Sequence, residues 1–150
     1  MRRPAGTSHA RKASTERLMT RPTTFASFPR QWTPVAPASA LAARGLLART
    51  VDSVPLVFVR DNDGKASALV DRCPHRSVKL SLGTRTPEGC VQCPFHGWRY
   101  DAEGACVDIP FNSDARKQAV RASVVPCREA GGLLWVFTEA DPVEVVPFPE

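Results

Sequence analysis

Histidine is scarce in this chain of 150 residues: His9, His75 and His96 are the only three. With His9 in an amino-terminal stretch that has no apolar pattern, two imidazoles remain for any site in the folded part. No apolar run approaches the roughly 20 residues that a helix needs to cross a bilayer, so a transmembrane helix is excluded. No apolar segment follows the basic first residues, which excludes a secretory signal of the usual form. Strand-length and helix-length patterns do not alternate, so a parallel α/β sheet is not expected. The five cysteines are odd in number, and Cys90, Cys106 and Cys127 show no framework spacing. A disulfide scaffold is therefore not expected; a reducing compartment, the cytoplasm, fits better, with these three as free thiols in or near strands.

Charge is also unevenly spread. The formal net charge is +5, yet residues 1–30 hold seven Arg or Lys and a single acid, Glu16. That leaves thirteen bases and fourteen acids in the other 120 residues, a net of −1. The basicity belongs to the amino-terminal stretch and no basic patch is visible on the rest, so a nucleic-acid partner is not expected.

Residues 1–30 are rich in Arg, Ser, Thr and Pro and lack periodicity, and a disordered basic tail is expected there. Residues 31–140 are expected to form one domain, and residues 141–150, with three prolines, to lead out of it as a linker. Leu41 to Arg49 has short helical or turn character. Strands are expected at Leu56–Val59, Ala66–Val70, Ala122–Val125 and Leu133–Phe137, all apolar, rich in β-branched or aromatic residues and bounded by turn chemistry. Asp61-Asn62-Asp63-Gly64 and Asp101-Ala102-Glu103-Gly104 read as turns, and Gly131-Gly132 precedes the last strand. Fourteen prolines and nine glycines agree with short strands and many turns. The expected fold is all-β, a small antiparallel β-sandwich or barrel.

Two segments carry the chemistry: Cys73-Pro74-His75-Arg76 and Cys93-Pro94-Phe95-His96-Gly97-Trp98, with seventeen residues between His75 and Cys93. Each offers one thiolate and one imidazole. Two sulfurs and two nitrogens suit a [2Fe–2S] cluster in which Cys73 and Cys93 hold one iron and His75 and His96 the other. The same four residues could hold a structural zinc ion, giving a zinc-stabilised interaction module. Zinc knuckles more often pair two ligands of one kind, typically C-x2-C, whereas each knuckle here is mixed and the first has a single intervening residue. Pro74 and Pro94 stiffen the loops between their ligands.

Asp71-Arg72-Cys73-Pro74-His75-Arg76 followed by Leu80-Ser81-Leu82-Gly83 resembles the first cluster loop of Rieske non-haem iron oxygenases. Cys93-Pro94-Phe95-His96-Gly97-Trp98-Arg99-Tyr100-Asp101, with Gly104 and Ile109-Pro110, resembles the second. The resemblance runs from about Gln31-Trp32 to Gly132–Phe137 and points to the amino-terminal Rieske [2Fe–2S] domain of ring-hydroxylating oxygenase large subunits. It implies a β-sandwich with an inserted two-loop subdomain, one [2Fe–2S] cluster on Cys73, His75, Cys93 and His96, and one-electron relay. Respiratory relatives add a Cys to each loop; here Val78 and Phe95 stand in those places, which implies a potential toward the low end of the Rieske range, roughly −150 mV. Lys79 stands where the family often has a small residue or proline.

The resemblance also implies a reductase or ferredoxin as electron donor and a mononuclear non-haem iron oxygenase domain as acceptor. Such a domain needs a further 2-His-1-carboxylate triad. No second pair of histidines exists in these 150 residues, so the chain is expected to lack that iron site. A stand-alone Rieske ferredoxin is the alternative within the same chemistry.

Overall fold

The computed structural model describes Phe25, residues 31–112 and residues 115–138. The expected linker 141–150 and His9 lie outside these residues, as does all of the expected tail 1–30 except Phe25, which is buried.

Eleven strands follow in chain order among the described residues: β1 (Trp32–Pro37), β2 (Leu46–Val51), β3 (Val54–Arg60), β4 (Ala66–Val70), β5 (Thr84–Arg85), β6 (Val91–Gln92), β7 (Arg99–Tyr100), β8 (Cys106–Asp108), β9 (Val124–Val125), β10 (Cys127–Ala130) and β11 (Leu133–Phe137). The only helical pieces among the described residues are three-residue 3-10 turns at Ala38–Ala40, Leu80–Leu82 and Lys117–Ala119. The strands form three antiparallel sheets, ordered β1-β11-β10, β2-β3-β4-β9 and β5-β6-β7-β8. The fold is the all-β class expected.

The second sheet is the middle of the molecule. Along β3, Leu56, Val57, Phe58 and Val59 are all fully buried, because alternate residues enter different cores. Leu56 and Phe58 join Ala66 and Ala68 of β4, Val125 of β9 and Leu134 and Val136 of β11 in a core shared with the first sheet, which also takes in Phe25. Val57, Val59 and Leu69 face the other way, toward Leu80, Val91, Tyr100, Cys106 and the two cysteines Cys73 and Cys93. A strand covered on both faces reads as a continuous apolar run rather than an alternating one, which is why Leu56–Val59 stands out in the sequence.

Leu133–Phe137 and Ala66–Val70 form strands as expected, and the segments at Asp61 and Asp101 close as turns, with Gly64 N–H on Asp61 O (3.3 Å) and Gly104 N–H on Asp101 O (3.0 Å). Two local expectations fail. Only Leu41 to Gly45 is turn-like; Leu46 to Arg49 belongs to β2, paired in register with β3 from Leu46↔Val59 to Val51↔Val54. The connecting turn has Asp52 and Ser53 both at positive φ (46° and 65°), the left-handed pair that a two-residue hairpin demands. Ala122-Ser123 is extended but unladdered: Ala122 N–H bonds Gly104 O and Ser123 O accepts from Val70, so only Val124–Val125 forms strand.

Candidate metal centre

The middle sheet delivers the first loop and the third sheet the second. β4 runs straight into Asp71–Val78, which returns through the 3-10 turn at Leu80–Leu82 to β5. β6 ends one residue before Cys93, and β7 begins one residue after Trp98, so the second loop is a hairpin tip.

The two loops are built on the same six-residue turn. Cys73 N–H donates to Val78 O (2.8 Å) and Ser77 N–H to Cys73 O (2.8 Å); Cys93 N–H donates to Trp98 O (2.8 Å) and Gly97 N–H to Cys93 O (3.1 Å). The fifth residue is left-handed in both, Ser77 at φ 59° and Gly97 at φ 72°. Glycine suits this position in the second loop for a further reason. A Cβ on Gly97 would stand 3.2 Å from Pro110 Cγ, so the Ile109-Pro110 segment packs against this loop. Lys79 is exposed and follows a closed turn, so its departure from the family pattern leaves the loop regular.

Burial separates the four expected ligands by type. Cys73 and Cys93 are 2% and 3% exposed and lie in the second core; His75 and His96 are exposed. The structure brings the pairs together: the imidazole centroids are 4.8 Å apart, and burial followed by the neighbouring Cys73 holds the Cys93 thiol above its usual range. His75 is pushed the other way. Desolvation, then the His96 and Arg76 charges, lowers its pKa and favours the neutral ring, the form that binds metals. Among the described residues no three His, Cys, Asp or Glu side chains gather around one ion position.

Neighbouring residues hold this arrangement. The Trp98 ring stacks on His75, with centroids 4.3 Å apart and planes 4° apart, so the second loop clamps the imidazole of the first. Phe95 lies 4.0 Å from His96, centroid to centroid. Tyr100, the chain's one tyrosine, is fully buried with its hydroxyl 3.3 Å from Cys73 Sγ. Burial, then the adjacent thiols, raises its pKa, so the phenol keeps its proton.

Sequence reasoning missed Asp71 as a working part. It is 4% exposed, and its carboxylate accepts from Ser81 N–H (2.7 Å) and Ser81 Oγ–H (2.6 Å). This pins both ends of the first loop together. The partners lie ten residues apart across an irregular segment, where no periodic pattern links them. Arg85 was missed too: it donates to Arg60 O, Asp61 O, Thr86 O and Asn62 Oδ1, tying the third sheet to the β3–β4 turn.

The remaining cysteines are free thiols. Cys106 is buried in β8, while Cys127 in β10 and Cys90 just before β6 are half-buried, as expected. No helix among the described residues is long and apolar enough to cross a membrane.

Comparison with known proteins agrees with this geometry. Residues 31–127 match the family description "Rieske [2Fe-2S] domain". The chain is 36% identical over 129 residues to the 3-chlorobenzoate-3,4-dioxygenase oxygenase subunit of Comamonas testosteroni, covering 79% of this chain and 30% of that protein. It is 38% identical over 91 residues to the oxygenase component of dicamba O-demethylase from Stenotrophomonas maltophilia, covering 61% and 26%. Among solved structures, apo dicamba monooxygenase superposes with TM-score 0.72 at 35% identity, covering 83% of this chain and 39% of that one. NdmA of Pseudomonas putida CBB5 gives 0.64 at 36%, covering 71% and 34%. The chain thus spans well under half the length of these relatives. The matched region contains both loops and their supporting sheets, and this chain belongs to the Rieske [2Fe–2S] domain family, whose cofactor is a single [2Fe–2S] cluster.

Proposed function

We propose that Cys73, His75, Cys93 and His96 hold the cluster, and that the chain relays single electrons as the accepting domain of a ring-hydroxylating-type oxygenase. A reductase or ferredoxin would supply the electron, and a mononuclear non-haem iron oxygenase domain would receive it. The oxygenase components among the relatives support this placement. Three thiols outside the site, Cys90, Cys106 and Cys127, support a reducing, cytoplasmic setting.

The observation that carries the reading is the burial split. Two adjacent thiols in an apolar core suit a charge-donating, water-free ligand pair, and two exposed imidazoles suit an iron that faces a partner. Two donors of each kind, with no three converging on one point, suit two metals with two protein ligands each better than one tetrahedral zinc. When bound, the cluster supplies a one-electron couple.

The chain's own residues prepare the site. Val57, Val59, Leu69, Leu80 and Val91 exclude water from the sulfur side. Trp98 fixes the plane of His75, Asp71 holds the first loop closed, and Tyr100 offers its O–H to the Cys73 sulfur. His75 and His96 present ring atoms to the outside, giving a short route to a docked protein.

Electron paramagnetic resonance of dithionite-reduced protein, with iron and acid-labile sulfide assays, tests the reading. The expected result is the spectrum of a mixed His/Cys cluster with two irons and two sulfides per chain, lost in Cys73→Ser and His96→Ala. Colourless protein that contains zinc without iron or sulfide would refute it.

A further inference from the structure

At the opposite end of β4 from the first loop, three connections enclose a cavity of about 480 Å³. They are the turn before β2, the β3–β4 turn and the β5–β6 loop, and Ala43, Arg44, Arg60, Asp61, Arg85 and Pro87 are among the lining residues. β4 separates this turn from Asp71 by five residues, or about 17 Å. The β5–β6 loop is seated firmly on the β3–β4 turn. A Cβ on Gly89, at φ 86°, would stand 3.1 Å from Asp61 Cα.

Two of the three arginines have a bracing role. Arg60 donates to Ala38 O (3.2 Å), Leu41 O (3.3 Å) and Gly64 O (2.8 Å) and pairs with Glu129 (2.6 Å). Arg85 holds the third sheet to the β3–β4 turn through its four bonds. Bonds to carbonyls fix a guanidinium without cancelling its charge. Arg44 has no such role: it is exposed and, among the described residues, makes no hydrogen bond or ion pair, yet it lines the same cavity.

The wall therefore holds three bases and one acid, Asp61, an excess of two positive charges. The Asp61 Oδ1 is already taken by the Asp63 and Lys65 N–H groups (3.0 and 2.9 Å). Beside the wall stand Lys65, Asp63 and Glu88, all exposed, and Glu129 on Arg60. With these four added, the neighbourhood balances at four bases and four acids. The positive excess thus acts at contact distance inside the cavity, and not as a field that steers from afar.

We propose that Arg44, Arg60 and Arg85 bind the phosphate group of a small phosphomonoester, at a site separate from the two Cys–His loops. A single guanidinium fork matches a planar carboxylate. Three guanidiniums from three different connections suit a tetrahedral group instead, and two excess charges suit its dianion. The volume falls in the range of small-molecule pockets, and Ala43 and Pro87 give an organic body an apolar wall. Because Arg60 and Arg85 are already held, only Arg44 is ordered on binding. A bound phosphate would join the turn before β2 to the other two walls, so the ligand stabilises the fold.

The test uses the full chain loaded with its cluster, near neutral pH and at ionic strength fixed with chloride. Calorimetric titrations with phenyl phosphate, inorganic phosphate and benzoate compare the three anions. Phenyl phosphate should bind ~10-fold more tightly than inorganic phosphate, and benzoate more weakly than either. At saturation it should raise the thermal midpoint by ~4 °C or more, with the visible circular dichroism of the cluster unchanged. Arg44→Gln should weaken phenyl phosphate ~10-fold, and Arg44→Lys should recover part of the loss. Without ligand, both variants should melt as wild type does, because the Arg44 side chain makes no bond among the described residues. Arg76→Gln, an equal charge change on the first loop, should bind as wild type. Inorganic phosphate that binds as tightly as phenyl phosphate overturns the organic occupant. The site itself is overturned by the absence of heat and of any midpoint shift, by benzoate binding equally well, or by Arg44→Gln behaving as wild type. Binding that survives Arg44→Gln and falls in Arg76→Gln would place the anion on the first loop and overturn it too.

Discussion

Replacing Tyr100 with Phe removes one hydrogen bond and little else. The ring is fully buried, so Phe fills the same space, and only the hydroxyl 3.3 Å from Cys73 Sγ is lost. A hydrogen bond to a charged group contributes ~1.5–3 kcal/mol. Reduction adds one negative charge that spreads over both irons and all their ligands, so about a third of that bond, ~0.5–1 kcal/mol, distinguishes the reduced from the oxidised state. With ~59 mV per tenfold change for a one-electron couple, Tyr100→Phe should lower the reduction potential by ~20–40 mV. The direction follows from the donor: a hydroxyl stabilises the more negative state, so its loss favours oxidation. A redox titration followed by visible circular dichroism measures the shift, and the unchanged spectrum of the oxidised protein shows that the ligands have stayed. A potential that rises or stays within a few millivolts would refute the argument, because the hydroxyl would then not be donating to a ligand sulfur.

Asp71→Ala should destabilise the protein by ~2–3 kcal/mol in urea melts, since it strands the Ser81 N–H at the base of the first loop, and Asp71→Asn should recover part of that through its remaining acceptor. Burial, then Glu129, raises the Cys127 thiol to about 12, while an unfolded thiol titrates near ~8.5. The fold therefore keeps a proton that the unfolded chain gives up: its stabilising effect is complete below ~8.5 and declines as pH climbs toward 12. Between pH 8.5 and 10.5 the urea midpoint of Cys127→Ala should fall less steeply than that of wild type, and parallel slopes would count against this. The matched turns give an asymmetric pair: Gly97→Ser should cost ~1–2 kcal/mol for a left-handed side chain, and more for its approach to Pro110, whereas Ser77→Gly should be close to neutral. Equal losses in the two variants, measured by thermal melts, would contradict the shared-turn geometry.

The parts of this protein that were legible beforehand are those whose signal is local. β3, β4 and β11 show as apolar runs because their side chains alone decide burial, and the candidate ligand pairs stand out because each is contained within four residues. β2 was not legible, since Leu46–Val51 owes its strand to pairing with β3 rather than to its own composition. The third sheet escaped for a related reason. Its strands are two or three residues long, too short for any period, and they exist because β5–β8 hydrogen-bond one another around the second loop. Asp71 and Arg85 act across ten to twenty-five residues of chain, at distances where sequence carries no pattern.

The two loops also explain why the histidines are not equivalent. The turns match residue for residue, but His75 is the third residue of its turn and His96 the fourth of its own. The sixth residue is Val78 in one and Trp98 in the other. Only Trp98 is large enough to reach across, and it stacks flat on His75. Val78 offers His96 no such platform; His96 instead leans on Phe95, its own neighbour, which is itself 59% exposed. One imidazole is thus held by the opposite loop and the other by a side chain in solvent. Ligand orientation by surrounding groups is what preorganises a metal site. Here that support is strong at His75 and weak at His96, so a docked partner that covers Phe95 would complete the shell around His96.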